Sequence, residues 1–331
     1  MLLKYDRIKY LPYCFILVFL GLVAWLNLES LFLVALFSYF ILNRLRFLRK
    51  TWLIISLFLV FVVFIFYGFF LFSKKAFYLL PGIVSSSIPI LVNMANDYGI
   101  TLPFGNVEGL RHLIIVGMTG QLSGIATSAV LATKEFIYII VGFIVAIGIF
   151  THGRLTLKKE SGAPNNLYLF ISHTILTRFQ LFYKSFETVM GAQLIISAIN
   201  TFFTGVFVFA IGLPHPMMII ILTFLCGLIP IIGNLISNAI IFCIAIAISL
   251  KVAVFSLIFL ILIHKGEYFL NSRIIGIKIN NPMWLTLLAL LIGERVLGIY
   301  GMILAPIVLN YLKIECLKIL VQSQPPIVVE A

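Results

Sequence analysis

Residues 217–250 read MMIIILTFLCGLIPIIGNLISNAIIFCIAIAISL, a stretch without a single charged side chain. A membrane-spanning helix needs only about 20 apolar residues, so this run is too long for one simple span. It is interrupted at Gly227-Leu228-Ile229-Pro230-Ile231-Ile232-Gly233-Asn234. Pro230 removes a backbone donor and clashes with the preceding turn, and the flanking glycines permit departure from the helix. In hydrocarbon a freed backbone group needs a partner, so such a break persists only where protein or water lines it. The stretch therefore predicts a broken membrane helix facing a cavity.

The rest of the chain agrees with a membrane setting. Of 331 residues, 62% are hydrophobic and only 10% are charged, against about 45–50% and 25% in soluble domains. There is too little polar surface to cover a globule, which excludes a soluble enzyme and a disordered chain. The 23 Lys and Arg against 11 Asp and Glu leave a net charge of +12. The basic residues sit beside apolar runs, where they hold the cytoplasmic ends of helices. Nucleic acid is not an expected partner; the lipid bilayer is. The four cysteines show no paired or metal-ligand spacing, and no metal or cofactor is expected.

Counting apolar runs gives an all-helical polytopic protein with about eight hydrophobic segments. Three spans are expected in residues 1–72, at 11–28, 31–42 and 52–72. Arg44, Arg46, Arg49 and Lys50 form the densest basic loop, which places that loop, and with it both termini, in the cytoplasm. Residues 73–135, with Pro81, Pro89 and Pro103, read as an external insert of amphipathic helices. Residues 136–188 hold a fourth span and an inner-leaflet amphipathic helix. Residues 189–313 form a core transport region, and 314–331 a tail. Within the core, 217–249 and 283–312 are either full crossings or re-entrant hairpins. The second alternative puts the basic 271–282 stretch on the inside.

Chemistry at membrane depth is confined to a few residues. A charge at the bilayer centre costs roughly 2.5–3.5 kcal/mol on insertion scales, so ionisable groups there face a partner or a water path. Glu267 and Glu294 are the candidate coupling carboxylates, with Asn271 and Arg273 nearby. Against this, Glu267 can simply pair with Lys265 or Arg273, and Glu294 can be a hairpin-tip charge beside Arg295. Asn234 and Asn238 share a helix face beyond the Pro230–Gly233 break, and Asn200 in the fifth span can face the same cavity; amides near a broken helix ligate solutes in transporters or bond neighbouring helices. Neither a zinc-protease motif nor a phosphate-binding loop is present, and no nucleophile–base set is visible, so an enzyme is not expected.

Three motifs then define a resemblance: Gly227-Leu-Ile-Pro-Ile-Ile-Gly233-Asn234 with Gly212-Leu-Pro214 ahead of it; Glu267-Tyr-Phe-Leu-Asn271 leading to Arg273-Ile-Ile-Gly276 and Asn281-Pro282; and Gly293-Glu294, Gly298-Ile-Tyr-Gly301 and Pro306. In this order and spacing they resemble the autoinducer-2 exporter family of bacterial membrane proteins, the PerM-type permeases. The motifs cover about residues 189–313. Ser272 and Gly266 depart from the family pattern, where proline and the acid respectively are more usual. The resemblance implies a bacterial cytoplasmic-membrane transporter. Some members are linked to autoinducer-2 release and others to sodium or lithium exchange against protons. The expected function is secondary export of a small polar solute or monovalent cation (Na+, Li+) coupled to a proton or sodium gradient, by a homo-oligomer. A passive oligomeric channel and a non-transporting envelope scaffold are the alternatives.

Overall fold

The computed structural model describes residues 11–97, 99, 125–152, 167–230, 232–270 and 282–317. Among these it is all-α, with no strand. The helices are α1 (Leu11–Trp25), α2 (Glu29–Arg44), α3 (Thr51–Asp97), α4 (Ile125–Thr151), α5 (Leu167–Ile211), α6 (Pro216–Gly227), α7 (Ile232–Ile248), α8 (Leu250–Leu270) and α9 (Met283–Cys316). Five stretches are long and apolar enough to cross a membrane: Glu29–Leu48, Thr51–Lys75, Thr133–Thr151, Leu167–Ile211 and Trp284–Cys316. The fold is that of a multi-pass membrane protein.

The helices do not stop where hydropathy changes. The third-span helix continues beyond Phe72, through Pro81 and Pro89, to Asp97. The fourth-span helix starts at Ile125 rather than at 136. The expected inner-leaflet helix and fifth span are one 45-residue helix, α5. The last helix runs past 313 to Cys316. Residues 98 and 100–124 of the expected external insert, and the tail from 318 on, lie outside the described residues.

Helix ends follow local backbone chemistry. Gly212, at φ 73°, closes α5: its N–H and that of Leu213 both donate to the Val208 carbonyl. His215 at φ 56° and Pro216 at the first helical position then start α6. Asn27, at φ 52°, turns the chain between α1 and α2.

Both doubtful segments are hairpins. Gly233 lies so close to the Cys226 carbonyl that a Cβ would overlap it, and Ile219 of α6 shares a core with Ile241 and Ile244 of α7. Helices α6 and α7 therefore fold back on one another about the 228–231 break. In α9 the reversal is at Gly298, at φ 58° and ψ −139°. Gly293 and Gly301 then touch backbone to backbone, and a Cβ on Gly293 would lie 3.1 Å from that of Ala305. A straight helix would hold residues 293 and 305 about 18 Å apart at 1.5 Å per residue. The arms, 283–297 and 299–316, are roughly 22 and 27 Å long on the same rise. Helix α6, with 12 residues, is only about 18 Å long, so it falls short of a roughly 30 Å hydrocarbon layer.

The register against α5 fixes how the hairpins enter. Helix α8 runs antiparallel to α5, with the Phe207 and Phe259 rings stacked at 3.9 Å. The second arm of α9 also runs antiparallel to α5. Leu304 and Ile307 pack with Phe186, Val189 and Met190, Tyr311 meets Phe182, and Glu315 pairs with Arg178. The α6–α7 hairpin thus enters from the Ile211 end of α5, and the α9 hairpin from the Leu167 end. Their tips meet: Ile229 packs against Leu290, Met302 and Ala305. After the α6–α7 hairpin returns, α8 runs back along α5 from the level of Phe207 toward that of Asn200.

Packing and polar contacts, rather than water exclusion, hold helices together in lipid. Leu42, Ile54, Phe58 and Ala146 join α2, α3 and α4. Gly142 lets α4 sit against the Leu31 carbonyl and Val34 of α2. Phe64, Phe69 and Phe70 of α3 point outward, as suits a lipid-facing helix.

Candidate functional site

The tip of the α6–α7 hairpin lies against a polar stripe of α5. Gln193, Ser197, Asn200, Thr201 and Thr204 recur at spacings of three and four, which places them along one side of the helix. The break at Pro230 leaves carbonyls of the last α6 turn without helical donors. Two α5 side chains fill the gap: Gln193 Nε2 donates to the Gly227 carbonyl at 2.6 Å, and Ser197 Oγ to the Phe224 carbonyl at 2.8 Å. The approach depends on Gly227, where a Cβ would stand 2.5 Å from Ser197 Oγ and 3.3 Å from Asn234 Oδ1.

Asn234 begins the returning helix and joins three elements. Its Nδ2 donates to Glu267 Oε1 on α8 at 2.5 Å. Its Oδ1 accepts from Asn200 Nδ2 on α5 at 3.1 Å. Ser237 Oγ donates to the Asn234 carbonyl at 3.1 Å. Asn200, Asn234 and Glu267 are 4%, 1% and 7% exposed, so the chain is sealed within the helix bundle. At its other end Glu267 Oε2 lies 3.9 Å from His264 Nδ1.

The polarity of this chain follows from its carboxylate. An ionised carboxylate only accepts, so the Asn234 amide must turn its NH2 to Glu267 and its oxygen to Asn200, which in turn must donate. That leaves Asn200 Oδ1 as the terminal acceptor, and it is buried without a partner. Thr201 Oγ1 and Thr223 Oγ1 are also buried and unsatisfied. Thr201 is one turn from Ser197 and Thr223 one turn from Gly227, and Ser197 and Gly227 are in contact, so the two hydroxyls occupy facing positions of α5 and α6. Buried oxygens without a partner are unusual in native proteins, and three fall on these two facing helices.

The structure thus brings together Asn200, Pro230, Gly233, Asn234 and Glu267. Pro230 and Gly233 are buried at the hairpin tip, and Asn238 is half-buried one turn beyond Asn234. Glu267 pairs with Asn234 and His264, not with Lys265. Glu294 is exposed on the α9 hairpin, away from this chain. Gly298 and Gly301 form the α9 turn, Pro306 lies within its second arm, and Pro282 caps its start. Asn271, Arg273 and Gly276 lie outside the described residues. Ser197, Thr223 and His264 are additions; the first was legible in the α5 polar stripe, while the other two are placed only by tertiary packing.

Two hairpins meeting inside a helical bundle, with a buried carboxylate and amides at the break, define a polytopic transport protein. The chain belongs to the AI-2E transporter family: the model for the AI-2E family transporter matches residues 13–319. It is also similar to the "Putative transport protein YdbI" of Bacillus subtilis (strain 168), at 32% identity over 125 residues, 37% of this chain and 36% of that protein. The chain therefore spans about a third of the length of this curated relative. No solved structure matches.

Proposed function

We propose that this membrane transporter is a secondary exporter that moves a small polar solute or a monovalent cation, driven by a proton or sodium gradient. The observation that carries the reading is the buried chain Asn200–Asn234–Glu267 at the tip of a broken helix. Family membership supports transport; the direction and the autoinducer-2-like or Na+/Li+ cargo rest on the family resemblance of the motifs.

The chain supplies a coupling device. With Glu267 ionised, both amides are locked and Asn200 Oδ1 is held as a buried acceptor without a partner. Protonated Glu267 is itself a donor, which releases the lock and lets both amides reverse. Asn200 then presents NH2, and the site no longer suits a cation or a donating solute. Proton uptake at Glu267 would thus expel cargo from a site two residues away, with no large helix movement required for the chemical switch. The two hairpin tips, packed through Ile229, are the elements whose separation would open the site to one side or the other.

The test uses protein in liposomes with an internal pH-sensitive dye. After imposing a proton gradient, sodium or lithium is added to wild type and Glu267→Gln. Cation-dependent proton movement that the substitution abolishes supports coupling. Cation conductance untouched by the substitution would sink it and favour a passive channel. If no cation moves protons, the same assay with a small polar solute such as autoinducer-2 decides whether an organic cargo is exported.

A further inference from the structure

The Asn200–Asn234–Glu267 chain is closed at its far end, yet Glu267 must exchange protons with water for the proposed cycle to run. Among the described residues, one exposed side chain lies in reach of its carboxylate. His264 precedes Glu267 by one helical turn on α8, with Nδ1 3.9 Å from Oε2; its side chain is 65% exposed against 7% for Glu267. It therefore lies on the outer surface of the bundle and in reach of the buried carboxyl. The adjoining Lys265 is exposed as well, and a lysine at that place keeps its ammonium in water.

The alternatives for proton entry are few. From residue 188 to 250, which includes the span half of α5 and all of α6 and α7, there is no charged side chain. The titratable groups of these elements are the thiols of Cys226 and Cys243, both half-buried, together with His215 at the opposite end of α6. Helix α3, which packs on α7, contributes Tyr67, Lys74, Lys75, Tyr78 and Asp97, and α8 itself adds Lys251 at its far end, Lys265 and Tyr268. Lys and Arg remain protonated near neutrality, whereas imidazole both takes and gives a proton there.

We propose that His264 is the proton relay of Glu267: it takes a proton from water at Nε2 and passes one from Nδ1 to Glu267 Oε2, then recovers by tautomer exchange with water. Uptake breaks an O–H bond of hydronium and forms Nε2–H; transfer then breaks Nδ1–H and forms the carboxyl O–H, leaving water, a neutral imidazole and a neutral carboxyl. His264 touches no cargo, so its removal should slow proton transfer without changing cargo affinity. The inference rests on the proposed titration of Glu267.

A measurement independent of cargo distinguishes the two. Full-length protein in liposomes is subjected to a rapid drop in pH, and the carbonyl stretch of the protonated carboxyl is followed by time-resolved infrared spectroscopy. Glu267→Gln assigns the band by removing it. Loss of a positioned acid–base group typically costs a hundredfold or more, so band appearance in His264→Ala should be slower by about that factor. Added imidazole should restore the rate in His264→Ala and leave Glu267→Gln unchanged. Equal rates in wild type and His264→Ala, with the Glu267 band present, overturn the relay and leave the coupling carboxylate standing. If wild type shows no band that Glu267→Gln removes, Glu267 does not titrate and both readings fall.

Discussion

Gly293 and Gly301 touch backbone to backbone across the second hairpin, each so near the other's carbonyl that a Cβ on either would overlap it. The contact exists because Gly298, at φ 58° and ψ −139°, turns the chain through a region that side chains make costly. It also sets the depth of the tip that receives Ile229 from the other hairpin.

Gly301→Ala should therefore be severe. Overpacking typically costs about 1–3 kcal/mol, and here the obstacle is backbone, which cannot rotate aside, so the upper end is expected. Gly191→Ala on α5, where a Cβ meets nothing within 4 Å, should be neutral or stabilise slightly, since alanine favours the helix by up to about 1 kcal/mol over glycine. Thermal midpoints in detergent, read by tryptophan emission or by loss of monodispersity, check both. Similar midpoints for the two variants would mean that the hairpin is not this tightly closed.

Asn234 and Glu267 should prove energetically coupled. Leucine at 234 removes the donor that satisfies Glu267, and an unsatisfied buried group costs about 1–3 kcal/mol. In a Glu267→Gln background the same change should cost less, because the neutral amide is cheaper to leave unpaired. A double-mutant cycle of unfolding free energies measures the difference; additivity within a few tenths of a kcal/mol would show that the pair is not formed. Glu267→Gln alone keeps the shape and should fold normally while losing coupled transport.

Thr223→Val makes the opposite kind of prediction. Its hydroxyl is buried without a partner, so an isosteric methyl should be neutral or stabilising. If Thr223, Thr201 and Asn200 ligate cargo, the same variant should raise KM several-fold while leaving thermal stability intact. A destabilised Thr223→Val with unchanged KM would reassign the hydroxyl to structure.

Much of this was legible in the sequence, for a physical reason: lipid penalises unsatisfied backbone and buried charge so heavily that Pro230, Gly298 and Glu267 stand out against an apolar background. What hydropathy misjudged was helix length. Hydropathy senses the solvent around a side chain, whereas the α-helix is held by its own backbone, so α5 passes from a mixed to an apolar half at residue 188 without a break. Two prolines likewise fail to end α3, each removing one internal bond from a helix with dozens of others. The partner of Glu267 was not legible as such. Asn234 lies 33 positions away and had two readings, interhelical glue or cargo ligand; the fold makes it a bridge between Asn200 and the carboxylate. Asn271 and Arg273, proposed on the motif, fall outside the described residues.

The last prediction concerns how the second hairpin is anchored. Arg178 on α5 and Glu315 on the final turns of α9 form an ion pair, with side chains 21% and 15% exposed. Removing one member of a buried pair leaves the other charge stranded, at a cost of about 3–5 kcal/mol; partial exposure should bring Arg178→Ala nearer 2–3 kcal/mol. The charge reversals Arg178→Glu and Glu315→Arg should each destabilise more, because they set like charges together. Combined, they should recover part of the loss, since the swapped ions still meet between the same two helices. The hairpin tip lies roughly 25 Å from this pair along the second arm, on the helical rise, so a loosened anchor should weaken transport through hairpin position and not through cargo affinity. Thermal midpoints of the single and double variants, with KM and turnover measured side by side, separate these effects. Recovery of stability without recovery of turnover would show that the arginine does more than hold the hairpin down.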